Sequence, residues 1–286
     1  MEHSKRLKDD LKSQIRSRVR REKRTAKELQ KFCEDYRCWV ETQKATGTKP
    51  ITIIAEGDSW FKYMIGFAII WHLENLLDIQ ILNLAWPGDE VEEMTTPKKL
   101  KRLANQLKSG AASRTKFDFF LFSGGGNDLV GKDTFHKWLN PYESGMQAQD
   151  ILNMQTLNPA LDLVESGYRE IIALRDKHSP KTQLMFHGYD YAIPSDKGVC
   201  GRGPWMNPGL KLRKVPVRLR APVVRLFLEE FDRRLDRLAE ENDRITVAQT
   251  QGVLEENHWS NELHPTKSGF KKQAKVFEAE ILRLTN

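Results

Sequence analysis

The sequence has little cysteine, and its cysteines are not arranged for a metal site. Three cysteines occur in 286 residues, at Cys33, Cys38 and Cys200. This number is too small for the disulfide framework of a small secreted domain. None of the three belongs to a Cys-x-x-Cys pair or to a Cys/His cluster with zinc spacing. We therefore expect a protein of a reducing compartment that binds no metal and no cofactor.

Long apolar runs are also missing. The sequence starts with charged residues and lacks the apolar core of a secretory signal peptide. Its most apolar run, Tyr63–Leu77, contains His72 and Glu74, and it is shorter than the roughly 20 residues that a membrane-spanning helix needs. These absences predict a cytoplasmic protein. An apolar content of 39% is still sufficient for the core of one large domain.

Positive charge is concentrated near the amino terminus. The whole chain has a formal net charge of +7, and residues 1–50 hold 15 lysines and arginines against 8 acidic residues. From residue 51 onward the numbers are equal, 31 against 31. Residues 4–45 contain no proline or glycine and repeat apolar residues at helical spacing, which predicts a basic helix.

This basic helix is open to several interpretations. It can be a solvated helix whose aromatic second half packs on the body of the protein. It can also bind a second copy of the chain or another protein through residues 4–45. A nucleic acid or a membrane surface is a further possible partner, although no motif supports either one. Turn residues at 46–50 predict a basic helical arm at 1–49 and a folded domain at 50–286.

Strands and helices alternate through the rest of the chain. Since parallel strands need crossover helices, the alternation predicts an α/β fold with three layers and a parallel sheet of about five strands. The predicted strands are Ile51–Glu56, Ile79–Leu84, Phe117–Ser123, Gln183–His187 and Ile245–Ala248. The predicted helices are Phe61–Leu77, Pro97–Ser109, Ala160–Asp176, about Val223–Asn242, and one that begins at Pro265.

Unusual polar residues and a glycine lie where the predicted strands end. Ser59 follows the first strand, Gly88 the second and Asn127 the third, and His264 precedes the last helix. Ligands of open parallel sheets bind at the carboxyl ends of the strands, so we expect these residues to meet. A serine needs a base such as histidine, and amide donors can stabilise an oxyanion. Ser59 is also predicted at the amino end of a helix, where the helix dipole favours negative charge.

Four short blocks resemble those of the SGNH (GDSL-type) hydrolases. They are Gly57-Asp58-Ser59, the stretch from Asn83 to Gly88, Gly125-x-Asn127-Asp128, and His264-Pro265. The resemblance covers residues 51–286 and implies a flavodoxin-like α/β/α fold. It also implies an esterase, lipase or deacylase that acts on a small-molecule, carbohydrate or lipid ester. Ser59 would be the nucleophile and His264 the general base, while the Ser59 and Gly88 backbone N–H groups and the Asn127 side chain would form the oxyanion hole.

One position departs from this pattern. The family places an aspartate three residues before the histidine, and this chain has Asn261. A Ser–His dyad oriented by Asn261 or by a backbone carbonyl is the preferred explanation, because the other blocks keep their reactive residue types. A carboxylate from elsewhere, such as Glu262, can also substitute. The remaining alternative is a site without turnover, in a scaffold protein that recruits a partner through its basic arm.

The motif residues also have structural interpretations. Ser59 can be only a helix cap, and His264 can belong to an ordinary loop before a helix. The glycines at 124–126 resemble a phosphate loop but lack the Lys-Ser/Thr that follows one. The matched order of the blocks favours the hydrolase interpretation over these.

The segment from His187 to Pro208 is rich in aromatic residues, glycine and proline, and it is predicted to form a loop over the site. His187 can line the pocket, whereas His72 and His258 lack partners at metal spacing. Arg202 would favour an anionic substrate. The side chains predicted to shape the substrate pocket are Trp60, Asp128, Tyr189, Asp190, Arg202 and Trp205.

Overall fold

The protein is built around one parallel sheet. The structure is a computed structural model that describes residues 27–28, 30–47, 49–64, 66–108, 116–130, 134–199 and 203–285. The sheet has the strand order β2-β1-β3-β4-β5, and every pair of neighbours is parallel. The predicted α/β class and strand number are therefore confirmed. The strands are β1 (Ile53–Gly57), β2 (Ile81–Asn83), β3 (Phe119–Ser123), β4 (Gln183–His187) and β5 (Ile245–Ala248).

Helices cover both faces of this sheet and complete three layers. They are α1 (30–45), α2 (Ile69–Leu77), α3 (Val91–Met94), α4 (Pro97–Leu107), α5 (Gly126–Leu129), α6 (Ala148–Ile151), α7 (Met154–His178), α8 (Asn207–Leu212), α9 (Val217–Glu241) and α10 (Lys267–Thr285). Right-handed crossovers that run in opposite directions along the sheet place their helices on opposite faces. Accordingly, α2 packs against α10, while α7 packs against α4 and α9. Among the described residues, no helix combines the length and the apolar character needed to cross a bilayer.

The central strand β3 is buried on both faces, as its apolar run predicts. Phe120, Leu121 and Phe122 have no exposed surface. On one side, the Phe122 ring meets the ring of Tyr168 edge-on at 4.9 Å, and Tyr168 meets Phe186 of β4 at 4.8 Å. This packing holds β3 in place, and the carboxyl end of β3 lies beside the turn that follows β1.

The carboxyl half of the predicted basic helix packs on the body. In α1, the buried residues Cys33, Tyr36 and Val40 recur every three or four positions and therefore share one helix face. The Tyr36 ring lies 6.0 Å from the ring of Phe117, just before β3. Residues 1–26 of the predicted arm lie outside the described residues.

The predicted helix at Phe61–Leu77 is wrong at 61–64 and 66–68, since α2 begins only at Ile69, and residue 65 lies outside the described residues. The Asp58 carbonyl accepts hydrogen bonds from the Phe61 and Lys62 N–H groups, and Gly66 has a φ of +78°. These turns replace the first part of the helix. Ser59 therefore lies in a turn, and the predicted stabilisation by a helix dipole does not apply to it.

Candidate active site

Ser59 lies in a tight turn that begins where β1 touches β3. A Cβ atom on Gly57 would lie 2.6 Å from the Ser123 carbonyl oxygen, so only glycine allows this approach. The Asp58 N–H donates to that carbonyl oxygen at 3.2 Å. Asp58 Oδ1 then accepts the Trp60 N–H at 2.9 Å. Ser59 is thus held between two anchored neighbours, and 8% of its surface is exposed.

The structure brings Ser59 and His264 together across 205 positions of sequence. The Ser59 Oγ atom lies 2.8 Å from His264 Nε2, a hydrogen-bond distance. His264 is in the segment between β5 and α10. A serine hydroxyl in contact with an imidazole nitrogen is the arrangement in which a histidine can take the hydroxyl proton.

Asn261 fixes the tautomer of this histidine. Its Oδ1 atom accepts the backbone N–H groups of Leu263 and His264, both at 3.0 Å. Because a backbone N–H can only donate, the amide atom at this point must be the oxygen. His264 Nδ1 lies 3.2 Å from the same oxygen and must donate to it. Nε2 therefore carries no proton and accepts the Ser59 hydroxyl.

Two aromatic rings enclose the imidazole of His264. Tyr63 stacks on it, with ring centroids 4.5 Å apart and ring planes at 3°. Trp205 meets it edge-on at 6.2 Å. Burial in this surrounding lowers the pKa of His264 to about 4, because the charged form loses its hydration. His264 is accordingly neutral at pH 7.

The loops after β2 and β3 are bound to the serine turn. The Trp86 N–H donates to the Gly57 carbonyl at 2.8 Å, and Asn127 Nδ2 donates to the Asp89 carbonyl at 3.0 Å. An amide nitrogen has two N–H donors, so Asn127 keeps a second one. Gly88 has a φ of +83°, and a Cβ placed there would meet nothing within 4 Å. Both predicted oxyanion donors thus lie on loops that are tied to the Ser59 turn.

Glu262 does not replace the missing acid. Its buried carboxylate accepts backbone N–H groups from residues before α8 and from the first residue of α8. They belong to Ser195, Trp205, Met206 and Asn207. The bonds to Met206 and Asn207 are both 2.7 Å long. With these donors around it, the carboxylate holds Ser195 and residues 205–207 against the loop that carries His264. The substitute-acid explanation is therefore wrong for Glu262.

Several side chains predicted to shape the substrate pocket make internal contacts instead. Trp60 is 4% exposed, and its Nε1–H donates to the Leu263 carbonyl at 3.1 Å. Tyr189 is also buried and donates its hydroxyl to Asp58 at 2.6 Å. Trp60 and Tyr189 therefore support the fold around Ser59 and do not line a substrate pocket.

The two predicted acidic pocket residues likewise bind backbone. Asp128 accepts the Val91 N–H at 2.9 Å, at the start of α3. Asp190 is 1% exposed and accepts N–H groups from a turn after β5, at Gly252, Val253 and Leu254. Arg202 lies outside the described residues. Of the predicted pocket set, Trp205 is the one described member with a contact to His264.

A second serine–histidine pair contacts Asp58, the residue before Ser59. Ser123 Oγ is 2.8 Å from His187 Nε2 and donates to Asp58 Oδ1 at 3.0 Å. These are the residue types of a catalytic triad, but here the carboxylate contacts the serine and not the histidine. His187 Nδ1 accepts the Tyr189 N–H at 3.4 Å, so its Nε2 carries the proton and donates to Ser123.

The sequence analysis missed this second pair and also missed Tyr63. Ser123 and His187 are the last residues of neighbouring strands in matching register, and a polar residue ending each of two buried strands was an available signal. Tyr63 lies in the apolar run that was predicted as helix, and no local pattern distinguishes it. Within the described part of the chain, no three His, Cys, Asp or Glu side chains are grouped to hold a metal ion.

Comparison with solved structures finds chains of similar fold. A protein from Streptococcus pneumonia, described as a candidate platelet activating factor, matches with a TM-score of 0.50 and 14% identity over 93% of this chain and 98% of its own. The lipase Lip_vut3 from a goat rumen metagenome matches with a TM-score of 0.50 and 15% identity over 80% of this chain and 96% of its own. The chain shares the three-layer α/β/α fold of these structures, which is the fold that the resemblance to SGNH hydrolases predicts. No protein-family model and no curated protein matches the sequence.

Proposed function

We propose that this SGNH-fold protein is a serine-dependent hydrolase that cleaves an acyl ester at the Ser59–His264 pair. The observation that carries the proposal is the 2.8 Å contact between the Ser59 hydroxyl and His264 Nε2, in the tautomer that can accept a proton. The lipase among the structural neighbours supports an ester as the substrate class. In this proposal Asn261 orients the histidine, and the Ser59 and Gly88 N–H groups and the Asn127 amide form the oxyanion hole.

Acylation follows from these roles. Ser59 Oγ attacks the ester carbonyl carbon while its proton moves to His264 Nε2. The carbonyl electron pair moves onto oxygen, and the three N–H donors stabilise that charge. As the carbonyl re-forms, the bond to the alcohol oxygen breaks, and the imidazolium gives its proton to the departing alcohol. The acyl group is then bound to Ser59.

Deacylation repeats the steps with water as the nucleophile in place of Ser59 and with Ser59 Oγ as the leaving group. His264 Nε2 takes a proton from the water, whose oxygen attacks the acyl carbon. The bond to Ser59 Oγ breaks, and the imidazolium returns its proton to that oxygen as the carboxylic acid leaves. Throughout, His264 Nδ1–H stays bound to Asn261 Oδ1, which keeps the ring in the productive orientation.

One observation favours a second candidate, a scaffold protein without turnover. The Asn261 amide carries no charge to balance an imidazolium, and burial already holds the pKa of His264 at about 4. Such a protein would recruit a partner through its basic arm. Its partner binding would be lost on deletion of residues 1–45 and would survive Ser59→Ala.

A fluorophosphonate probe, which phosphonylates activated serines, separates the two candidates when the modified residue is mapped by mass spectrometry. We expect label on Ser59, none in Ser59→Ala, and full labelling in Ser123→Ala. Ser123 is the matched control because its hydroxyl also lies 2.8 Å from a histidine Nε2. Folded wild-type protein that stays unlabelled, or that is labelled at Ser123, would contradict the proposal. Turnover of a panel of esters with varied acyl length would then define the preferred acyl group.

A further inference from the structure

The stacking of Tyr63 on His264 is the strongest feature of the site that the proposed roles do not use. The two rings are nearly parallel, at 3°, and their centroids are 4.5 Å apart. At this distance the imidazole lies over the π face of the phenol ring. The phenol belongs to the same turn as Ser59, so one short segment contacts the histidine at its Nε2 edge and across its face.

The proposed reaction places a positive charge on this imidazole. In the usual triad a carboxylate at Nδ1 stabilises that charge, and here the position is held by a neutral amide oxygen at 3.2 Å. The face of an aromatic ring attracts a cation, and more strongly where water is excluded. His264 is 6% exposed, so the ring of Tyr63 is well placed to act in this way.

No charged group competes for this role among the described residues that contact the ring. Those contacts are the Ser59 hydroxyl and the Tyr63 ring from the turn after β1, Asn261 from its own loop, and Trp205 from the segment before α8. The nearby carboxylates are engaged elsewhere. Glu262 binds backbone N–H groups, and Asp58 binds Trp60, Ser123 and Tyr189. The phenol of Tyr63 is the one titratable side chain besides the histidine in this set.

We propose that Tyr63 is a positioning residue whose ring face stabilises the His264 imidazolium, in place of the carboxylate that Asn261 does not supply. The inference rests on the proposed function for its catalytic consequence. The interaction itself, between a ring and an imidazolium, exists whether or not the protein turns over an ester.

The test is the protonation of His264, followed by NMR in full-length protein with isotope-labelled histidine, from pH 8 down to pH 4. The signal is assigned by its loss in His264→Gln. Tyr63→Leu keeps the His264 imidazole buried but removes the aromatic face beside it, and we expect it to lower the pKa of His264 by about one unit. At pH 4, close to the wild-type pKa of about 4, the protonated fraction should fall from about one half to about one tenth.

Two further replacements separate the ring's charge distribution from its packing. Tyr63→Phe keeps the π face and should restore the wild-type titration. Replacement of Tyr63 by pentafluorophenylalanine keeps the stacked shape but reverses the ring's charge distribution, so it should behave as Tyr63→Leu does. Trp71→Leu, at a 42% exposed aromatic residue of α2, is the matched control and should leave the titration unchanged. An unchanged or raised pKa in Tyr63→Leu and in the fluorinated protein would overturn the inference.

Turnover gives the second readout. With an active ester, Tyr63→Leu should lower kcat roughly tenfold with little change in KM, because the interaction forms only when the imidazolium does. A wild-type kcat together with an altered KM would assign Tyr63 to substrate binding and overturn the proposed role. Protein that titrates as expected but does not label with fluorophosphonate would retain the ring–imidazolium interaction and would reject the hydrolase proposal.

Discussion

The two serine–histidine pairs of this protein have the same central distance and opposite proton arrangements. Ser59 and His264, like Ser123 and His187, are joined Oγ to Nε2 at 2.8 Å. In the first pair the histidine Nδ1 meets an amide oxygen and carries the proton, so Nε2 accepts. In the second pair Nδ1 meets a backbone N–H, so Nε2 donates.

The pairs also differ in their access to a substrate. Ser123 and His187 have no exposed surface, whereas Ser59 and His264 retain 8% and 6%. The Ser123–His187 pair, the inner pair, connects the ends of β3 and β4 to Asp58. Asp58 in turn shapes the turn that carries Ser59. The two pairs thus share a serine–histidine distance but differ in the partner of the second ring nitrogen and in exposure, and under the proposed function these two differences make only Ser59–His264 reactive.

The largest predicted difference between the two pairs is the effect on activity of replacing each histidine in turn. We expect His264→Ala to lower kcat/KM for an ester by roughly 10,000-fold or more, because the serine loses its base. His187→Phe should keep activity close to wild type, because the phenylalanine ring can pack among the aromatic rings that surround His187. It should lower thermal stability, because the hydrogen bond to Ser123 is lost. Steady-state kinetics and thermal unfolding measure the two effects. Similar activity losses in both variants would refute the distinction.

The oxyanion donor gives the next largest effect. Asn127→Ala should reduce kcat by about 100- to 1,000-fold, as expected for the loss of one preorganised donor to the developing charge. Asn140→Ala is a matched control, because Asn140 Nδ2 also donates to an aspartate carbonyl at 3.0 Å, away from the site. We expect the control to retain wild-type kcat. Equal kcat values in the two variants would remove Asn127 from the oxyanion hole.

A smaller change should follow when the Ser59–His264 pair is given a carboxylate at position 261. In Asn261→Asp, a carboxylate beside the imidazole should raise the pKa of His264 by about one to two units. The acid limb of the kcat/KM profile should move toward neutral pH, with up to about a tenfold rise in kcat. Asn158→Asp on α7 adds the same charge away from the site. An acid limb that shifts equally in both variants would show that net charge, and not the Nδ1 contact, is responsible.

His187 should contribute to the pH dependence of the unfolding free energy. Burial lowers the pKa of His187 to about 3, below the value of about 6.5 in an unfolded chain. Its contribution to stability is therefore complete above about pH 6.5 and is lost as the pH falls toward 3. Between pH 6 and pH 4, the unfolding free energy of His187→Phe should fall less steeply than that of wild type, by up to about 1.4 kcal/mol per pH unit. Parallel slopes in chemical denaturation would contradict this assignment.

The sequence was sufficient for the fold because its signals are local and periodic. Strands Gln183–His187 and Ile245–Ala248 have the predicted bounds, and β3 differs from its prediction by two residues at its start. Alternation of strands with helices gave the parallel sheet, and the rule for strand ends indicated where Ser59 and His264 would meet. The prediction failed at 61–64 and 66–68 because the Asp58 carbonyl and Gly66 form turns that override an apolar pattern.

The details of the site depended on contacts that no sequence pattern encodes. Tyr63 stacks on a histidine 201 positions away in the numbering, whereas its place in an apolar run assigned it to a predicted helix. Asp190 and Glu262 suggested a pocket and a substitute acid from their position alone. Both instead bind several backbone N–H groups, a role that a loop carboxylate acquires only when distant segments fold around it.

The Glu262 carboxylate has a consequence for motion at the site. Asn261, Glu262 and His264 belong to one short loop, and Glu262 accepts hydrogen bonds from the backbone N–H groups of Ser195 and residues 205–207. For residues 205–207 to move away from this loop, their bonds to one buried carboxylate would have to break together. A ligand that displaces Trp205 would therefore also disturb the loop that carries His264.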